Sequence, residues 1–428
     1  MKLTNLYNNS QSRVITFLII MIFIYSTLYG TIAIYVDSLF IRSLKDLLFI
    51  FLIIISLFKL VFSNENYRFV YLLLGLFISF CIFGSLDFIF IKKDLYTWVY
   101  GVKITYIPIA MFFVGYMLSK GINRYLNYTF ITLYFVIISV WVIQYVIGID
   151  RLVTFGFEYG VNVKHFIGGL PRLPSLIGTP DGYAVLLAFL GFIIEKDKSI
   201  IKKYKLRKLI GVITFIFLLL ATIRTAILLW IISQLIYQLF TFRIKSEKLQ
   251  TLSIALSFIF FPFISLILLI MSAKNTILLS TSSLKERINI WFEGSSGQNN
   301  LNLETFIGKG IGEVGAASKR LNSIGSNGSS YAVDNQYLAF YEQMGLLGIF
   351  VFLLFISIIF IIFVRRHNNN TIFQLGSLNL ISISLLVGVL TSCLFTNTLE
   401  IFPFNIFFWF YLGMNVNEFS INNKLKRI

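Results

Sequence analysis

Three arginines stand out in the sequence because their neighbours are largely apolar. Their guanidinium groups are also well suited to binding phosphate. Arg172 lies in Gly-Leu-Pro-Arg-Leu-Pro-Ser, Arg224 in Ala-Thr-Ile-Arg-Thr-Ala and Arg287 in Leu-Lys-Glu-Arg-Ile-Asn-Ile-Trp. A guanidinium group can grip a phosphate in a fork, and an arginine close to hydrocarbon is costly unless it pairs or serves a function. We therefore predict that these arginines bind an anionic group. The alternatives are snorkelling, or an internal ion pair such as Arg287 with Glu286 or Glu293.

A carboxylate with potential for proton chemistry occurs at Asp334, in the stretch Ala-Val-Asp-Asn-Gln-Tyr-Leu-Ala-Phe. It precedes a predicted helix by one or two turns. An aspartate in this place can accept a proton as a general base, and it can equally cap the helix. The residues alone leave both roles open. For Glu342, farther along the same stretch, the role of an interfacial side chain that pairs with a basic loop residue is equally open.

Other chemical motifs are sparse. Gly310-Ile-Gly312-Glu-Val-Gly315 matches G-x-G-x-x-G, but no strand–turn–helix pattern surrounds it, so we predict no dinucleotide site. A glycine-rich turn that brings the backbone close to a phosphate or a sugar remains open. The chain has two histidines, and it contains no Cys/His cluster, no Asp-x-Asp pair and no Walker loop. We therefore predict no metal, no cofactor and no ATP drive.

The composition indicates which elements must position these residues. Of 428 residues, 57% are hydrophobic and only 13% are charged, about half the charged share of a soluble protein. A soluble enzyme and a disordered chain are both excluded. We predict an all-α polytopic membrane bundle, 1–428, with about 12 transmembrane helices. The predicted spans are 14–35, 44–62, 68–86, 97–118, 126–147, 181–194, 209–223, 225–241, 251–272, 344–364, 371–395 and 403–415.

The charges predict the orientation of the bundle. With the N-terminus in the cytoplasm and alternating spans, the inner segments hold 21 of the 36 basic residues and five of the 19 acidic ones. Nearly all of the net charge of +17 is then the positive-inside pattern, so we predict no nucleic-acid partner and two cytoplasmic termini. This orientation gives two long outer loops, 148–180 and 273–343. Long loops on a compact bundle are usually functional.

Four ordered motifs resemble those of the O-antigen polymerase and O-antigen ligase superfamily of bacterial envelope glycosyltransferases. They are Pro171-Arg172 with Thr179-Pro180-Asp181-Gly182; Leu218-Leu-Leu-Ala-Thr-Ile-Arg224; Arg287-Ile-Asn-Ile-Trp291 with Gly308-Lys-Gly310; and Asp334-Asn-Gln-Tyr-Leu338 with Gly345-Leu-Leu-Gly348. The resemblance covers 171–348, and the first five helices match only in hydropathy. Two positions depart from the pattern of the family. Ile223 replaces a serine, and Asp334 stands where the ligases commonly carry histidine, which favours a polymerase.

The resemblance implies a metal-independent, inverting glycosyltransferase at the outer face of the bacterial cytoplasmic membrane. The donor and the acceptor would be glycans linked to undecaprenyl diphosphate, and a flippase and a chain-length regulator would be possible partners in the bilayer. The implied roles are diphosphate binding for Arg224 and Arg287, diphosphate or sugar binding for Arg172, and base catalysis for Asp334. Gly308 and Gly310 would line the substrate site. The product would be O-antigen, capsule or another exopolysaccharide.

Two alternatives remain open at this stage. A ligase would join finished polymer to a different acceptor, and only the acceptor distinguishes it mechanistically from a polymerase. A flippase for lipid-linked oligosaccharides would also have about 12 helices and basic inner loops. Flippases usually have short loops on both faces and charges inside the cavity of the bundle, whereas the informative charges here lie mostly in or beside long outer loops.

Overall fold

The computed structural model describes residues 2–36, 38–62, 68–91, 95–119, 123–166, 169–241, 256, 258, 303–316, 318, 333–369 and 373–425. The helices in chain order are α1 (Lys2–Tyr35), α2 (Leu39–Val61), α3 (Arg68–Ile91), α4 (Leu95–Gly101), α5 (Ile107–Leu118), α6 (Asn123–Ile147), α7 (Ile149–Thr154), α8 (Pro180–Lys196), α9 (Tyr204–Ala221), α10 (Arg224–Thr241), α11 (Leu303–Ile307), α12 (Gln336–Asn369), α13 (Phe373–Ser392) and α14 (Phe404–Leu425). A π-helix, Val102–Tyr106, joins α4 to α5. Two-residue strands β1 (Lys164–His165) and β2 (Pro171–Arg172) pair between α7 and α8, and 3-10 turns cover Ser175–Ile177 and Thr398–Glu400.

The chain is an all-α, multi-pass membrane protein. Six helices in the described ranges are long and apolar enough to cross a membrane. These are Val14–Tyr35, Arg68–Leu86, Leu95–Leu118, Tyr125–Ile147, Arg224–Thr241 and Gln336–His367. Each corresponds to a predicted span. Five further predicted spans fall on α2, α8, α9, α13 and α14, and the predicted span 251–272 lies outside the described residues except for 256 and 258. The total of 12 spans therefore stays a prediction.

The centre of the bundle is α8, which is buried from Gly182 to Lys196. Its sequence is apolar on every side until its last turn, as expected for a helix enclosed by other helices. Pro180 occupies the first turn, where the missing proline N–H costs no helical hydrogen bond. α9 returns antiparallel along α8, since Thr214 packs against Gly191 and the Glu195 carboxyl group packs against Gly211.

Helices α5 and α14 approach each other closely through a pair of reciprocal glycines. Gly115 of α5 lies against the carbonyl group of Phe410, and Gly413 of α14 lies against the carbonyl group of Phe112. Small residues let helix backbones come close together in membranes, where van der Waals packing drives association. Any larger side chain at either glycine would have to displace the backbone of the partner helix.

We expect Gly413→Leu to lower the apparent melting temperature of the detergent-solubilised protein by about 10 °C, or to abolish folding, because a β-carbon at this position meets backbone. Thermal unfolding followed by size-exclusion chromatography measures the effect. Gly75→Leu in α3 is the matched control, since a β-carbon at Gly75 has no neighbour within 4 Å. Equal melting temperatures for the two variants would contradict the close packing of α5 and α14.

Several helix ends meet at one end of the bundle, which we call the loop end. The N–H of Gln336, at the start of α12, donates to the carbonyl of Cys393, just after α13, at 2.8 Å. The carbonyl of Phe402, just before α14, lies against Gly182 near the start of α8. A two-residue turn between α9 and α10 reaches the same place, where it is bound by Arg172. The starts of α8, α10, α12 and α14 therefore lie together.

Helix α12 is interrupted at Gly345, whose backbone has φ 67° and ψ −171°. The break frees the carbonyl groups of Glu342 and Gln343 from their helical partners. They accept hydrogen bonds from the N–H groups of Lys309 at 2.7 Å and Gly310 at 2.9 Å. Irregular backbone at membrane depth is tolerated where protein satisfies its polar groups, and the 308–310 segment does so here.

The start of α12 differs from the predicted boundary. The second long loop was predicted to extend to residue 343, whereas the helix begins at Gln336. Hydropathy does not identify residues 336–343 as helical because they include Gln336, Glu342 and Gln343, which are polar but buried. The predicted span 344–364 begins at the interruption of the helix rather than at its start.

Candidate functional site

Arg172 is held by the turn between α9 and α10. Its Nε and Nη2 donate to the hydroxyl and the carbonyl of Thr222, each at 2.9 Å. Thr222 ends α9 in the left-handed conformation, with φ 57°, which exposes that carbonyl to the guanidinium. The third nitrogen, Nη1, has no hydrogen-bond partner among the described residues. The side chain is therefore anchored and still has N–H groups that can bind a ligand.

The β-hairpin of the first long loop brings an aromatic ring under this arginine. β1 and β2 pair antiparallel with Lys164 opposite Arg172, and the N–H of Phe166 donates to the carbonyl of Leu170 at 2.8 Å. The Arg172 guanidinium carbon lies 4.2 Å from the centroid of the Phe166 ring, within the range of a cation–π contact. Phe166 is thus a site residue that sequence reasoning missed, since an isolated phenylalanine in an apolar chain gives no signal.

Arg224 shares the same ring. It is the first residue of α10, and its exposed guanidinium lies 5.6 Å from the Phe166 centroid. Burial lowers the pKa of Arg172, nearby Asp181 opposes this shift, and the charge of Arg224 adds to it. Two cations that disfavour each other on one ring create a locally positive site. The predicted pair Arg172 and Arg224, 52 positions apart in the sequence, is therefore brought together.

Asp334 lies at the loop end, immediately before α12, and is partly exposed. The helix cap is its neighbour. The side-chain oxygen of Asn335 accepts the N–H groups of Tyr337 at 3.0 Å and Leu338 at 3.2 Å. A single capping residue satisfies these first N–H groups, so the capping alternative for Asp334 is wrong. Its role as a base remains a prediction.

A second carboxylate, which sequence reasoning missed, lies in the same region. Glu400 is buried and accepts hydrogen bonds from Gln336 at 3.1 Å, from the backbone N–H of Ala316 at 3.2 Å and from Thr105 at 3.4 Å. Burial raises its pKa to about 7, although the three hydrogen bonds oppose this shift. Glu400 therefore ties the π-helix and the 303–316 segment to the start of α12. In the sequence, Glu400 follows an apolar run and belongs to no recognisable motif.

We expect the stability of the protein to depend on pH through Glu400. Between about pH 4.5 and 7 the carboxyl group of Glu400 is deprotonated in the unfolded chain but stays protonated in the folded chain. The free energy of unfolding therefore falls by about 3 kcal/mol as the pH rises through this range. The apparent melting temperature in detergent measures it. Glu400→Gln should remove this part of the slope, and Glu158→Gln, at an exposed position, should not. A wild-type slope retained in Glu400→Gln would contradict the assignment.

The predicted glycines Gly308 and Gly310 lie against α12. Both have positive φ angles, 86° and 96°, a conformation that side chains with a β-carbon disfavour. A β-carbon at Gly308 would meet the backbone at Gln343, and the N–H of Gly310 bonds the carbonyl of that residue. These contacts explain Gly308 as a close-packing position, and the positive φ angle explains Gly310. Their predicted contact with substrate stays a prediction.

Two further charged contacts stabilise this end of the bundle. Lys309 pairs with buried Glu342 at 2.6 Å, which confirms the predicted pairing of Glu342 with a basic loop residue. Lys45 is buried, and its ammonium nitrogen lies 3.7 Å from the ring centroid of Tyr29 and 4.2 Å from that of Phe402. Sequence reasoning placed Lys45 within the predicted span 44–62 and gave it no role. A lysine inside an apolar run was the available signal.

The structure therefore brings together only some of the predicted site residues. Arg172 and Arg224 are adjacent, and Asp334 lies at the same end of the bundle. Arg287 lies outside the described residues, so its predicted role in binding diphosphate stays a prediction. Within the described ranges, no group of three His, Cys, Asp or Glu side chains could hold a metal ion. No protein family model matches the chain, and no curated protein matches it.

Proposed function

We propose that the protein is a membrane glycosyltransferase that polymerises oligosaccharide repeat units carried on undecaprenyl diphosphate. The observation that supports this most is the pair of arginines on the ring of Phe166. A diphosphate carries several negative charges, and guanidinium groups match its oxygens with paired N–H donors. Two such groups at the end of a membrane-embedded bundle suit a ligand with a charged head and an apolar tail.

The proposed reaction needs no cofactor, because undecaprenyl diphosphate is already an activated leaving group. A hydroxyl oxygen of the acceptor glycan attacks the anomeric carbon of the donor from the face opposite the diphosphate. The new glycosidic bond forms as the bond between the anomeric carbon and the phosphate oxygen breaks, which inverts the configuration. The hydroxyl proton passes to Asp334, and the departing diphosphate keeps the electron pair of the broken bond.

Each proposed role follows from the chemistry of its side chain. Arg172 and Arg224 stabilise the charge that develops on the diphosphate, which is the type of interaction that contributes most to many enzymatic rate enhancements. Arg172 is held in place for this role, since Thr222 fixes two of its three nitrogens. Asp334 is the base, a role compatible with its partial exposure and with the capping of α12 by Asn335. Arg287 is proposed as a third diphosphate ligand.

The proposal includes the orientation of the chain. The loop end faces the outside of the bacterial cytoplasmic membrane, both termini are cytoplasmic, and the lipid-linked donor and acceptor reach the site from the bilayer. A flippase that delivers the repeat units and a regulator of chain length are the proposed protein partners. The basic residues of the predicted inner segments support this orientation.

Loss of the gene distinguishes this function from its alternatives. If the protein is a polymerase, cells lacking it accumulate single lipid-linked repeat units on the outer face of the membrane. A missing flippase would leave the same units on the inner face, and a missing ligase would leave finished polymer on its lipid carrier. Mass spectrometry of extracted lipids, with a membrane-impermeant label for sidedness, separates the three. Accumulation on the inner face, or of finished polymer, would overturn the proposal.

A further inference from the structure

A dense group of basic residues lies at the opposite end of the bundle from Arg172. We call it the basic patch: Lys202, Lys203, Lys205, Arg207 and Lys208. The four lysines are exposed and Arg207 is partly buried. The patch covers the turn that follows α8 and the first residues of α9. Arg207 and Lys208 converge on one aromatic ring, since each charged group lies 5.8 Å from the ring centroid of Tyr204.

The two acids nearest the patch are used inside the protein. Glu195 is buried, receives a hydrogen bond from Gln234 and pairs with Lys196 at 2.7 Å. Asp197 is also buried and accepts the N–H of Ser199 at 2.7 Å. Asp197 lies close enough to feel the charge of Arg207, but it is one carboxylate beside five bases. The patch therefore presents a positive surface.

The position of the patch at the start of α9 makes its positive charge electrostatically unfavourable. The N-terminus of a helix carries partial positive charge, so acidic residues are favoured there and basic residues are not. The first turn of α9 contains no acid, while Lys203 precedes it and Lys205 lies within it. The Nε–H of Arg207 is also buried with no acceptor in the part of the chain that the structure describes. An anion bound at the patch would offset the repulsion among these bases.

The surroundings of the bases indicate what kind of anion fits. Tyr204, Leu206 and Leu209 alternate with them and are 64%, 43% and 52% exposed. A mixture of lysines with exposed tyrosine and leucine is typical of the boundary between headgroups and hydrocarbon. Farther along α9, Val212 and Ile216 are also exposed, as expected for a face in contact with lipid. A soluble polyanion would not account for this apolar surface.

We propose that the basic patch binds the phosphate of an anionic phospholipid headgroup in the bilayer. The headgroup phosphate would lie against Arg207 and Lys208, and the acyl chains would run along the exposed face of α9. Basic residues that cluster beside a membrane-spanning segment attract anionic lipids, each adding severalfold to the affinity of the cluster. This inference does not depend on the proposed glycosyltransferase activity.

The test is the binding of phosphatidylglycerol to the full-length protein in detergent, measured by native mass spectrometry with phosphatidylcholine as the neutral reference. We expect the wild type to prefer phosphatidylglycerol and the variant Arg207→Gln/Lys208→Gln to bind it about tenfold more weakly. The matched control is Arg68→Gln/Arg365→Gln, which removes two exposed bases outside the patch at the same end of the bundle. It should bind within about twofold of the wild type.

Three results would overturn the proposal. The first is equal binding of phosphatidylglycerol and phosphatidylcholine by the wild type, and the second is an equal loss in the two double variants. The third is competition by millimolar inorganic phosphate, since this would make the ligand a soluble anion. Unchanged melting temperatures for both variants establish that any difference arises from binding, and phosphatidylglycerol titration into nanodiscs repeats the comparison without detergent if either variant is unstable.

Discussion

Replacing either Arg172 or Arg224 by alanine should lower polymerisation of the lipid-linked repeat unit by about 10²–10³-fold, since removal of one preorganised donor to a developing charge costs this much in other enzymes. Both guanidinium groups lie over Phe166, so each loss leaves the diphosphate with one ligand of this pair. The measurement is conversion of the purified precursor, isolated from cells that lack the protein, into polymer by the reconstituted enzyme.

Two controls separate loss of the site from loss of the fold. Arg151→Ala removes an exposed arginine on α7 in the same long loop and should leave polymerisation unchanged. Arg172→Lys keeps the charge but cannot reproduce the paired donation of Nε and Nη2 to Thr222, so it should remain impaired. Normal polymer from Arg172→Ala and Arg224→Ala at wild-type protein levels would remove both arginines from the mechanism.

Asp334→Asn should lower the rate of polymerisation by about 10²–10⁴-fold, which is the usual contribution of a positioned general base. The substitution keeps the size of the side chain and removes its capacity to accept the hydroxyl proton. The effect should appear in kcat rather than in the affinity for the precursor, because the interaction is made with the transferring proton. Turnover at saturating precursor measures it.

The neighbouring residue provides a sharp control. Asn335→Ala removes the cap of α12 and should reduce stability by about 1 kcal/mol while leaving the turnover of the folded protein near normal. If Asn335→Ala loses turnover as fully as Asp334→Asn does, then turnover depends on a well-ordered start of α12, and the Asp334 carboxylate has no chemical role.

The apolar spans were readily predictable from the sequence, because hydrocarbon thickness sets their length and backbone hydrogen bonding dictates a helix. The start of α12 was not predictable in this way. Its first turns contain Gln336 and Glu342, whose polarity suggests a loop, yet both are buried by partners from distant segments. Glu400 bonds the Gln336 side chain and Lys309 pairs with Glu342, and these partners lie 64 and 33 positions away. Hydropathy reports local composition and contains no information about such partners.

The candidate site shows the same division. The residue types that suit phosphate chemistry identified Arg172 and Arg224 in the sequence, but their shared contact depends on Phe166 and on the left-handed Thr222. The choice between capping and catalysis at Asp334 could not be made from spacing, because Asn335 beside it is an equally good cap. The hydrogen bonds of Asn335 show that this residue is the cap, and the catalytic role of Asp334 stays a prediction. Long-range packing and the competition between adjacent side chains are therefore what the sequence left undetermined.

The glycine contact between α5 and α14 has a consequence for biogenesis. Ribosomes synthesise the chain from its N-terminus, so α5 enters the membrane long before its closest neighbour has been made. Until then the face of α5 around Gly115 must be covered by lipid or by the insertion machinery. This contact forms only when α14 arrives, and a ribosome stalled before residue 404 would leave an unfinished protein that quality-control proteases can recognise.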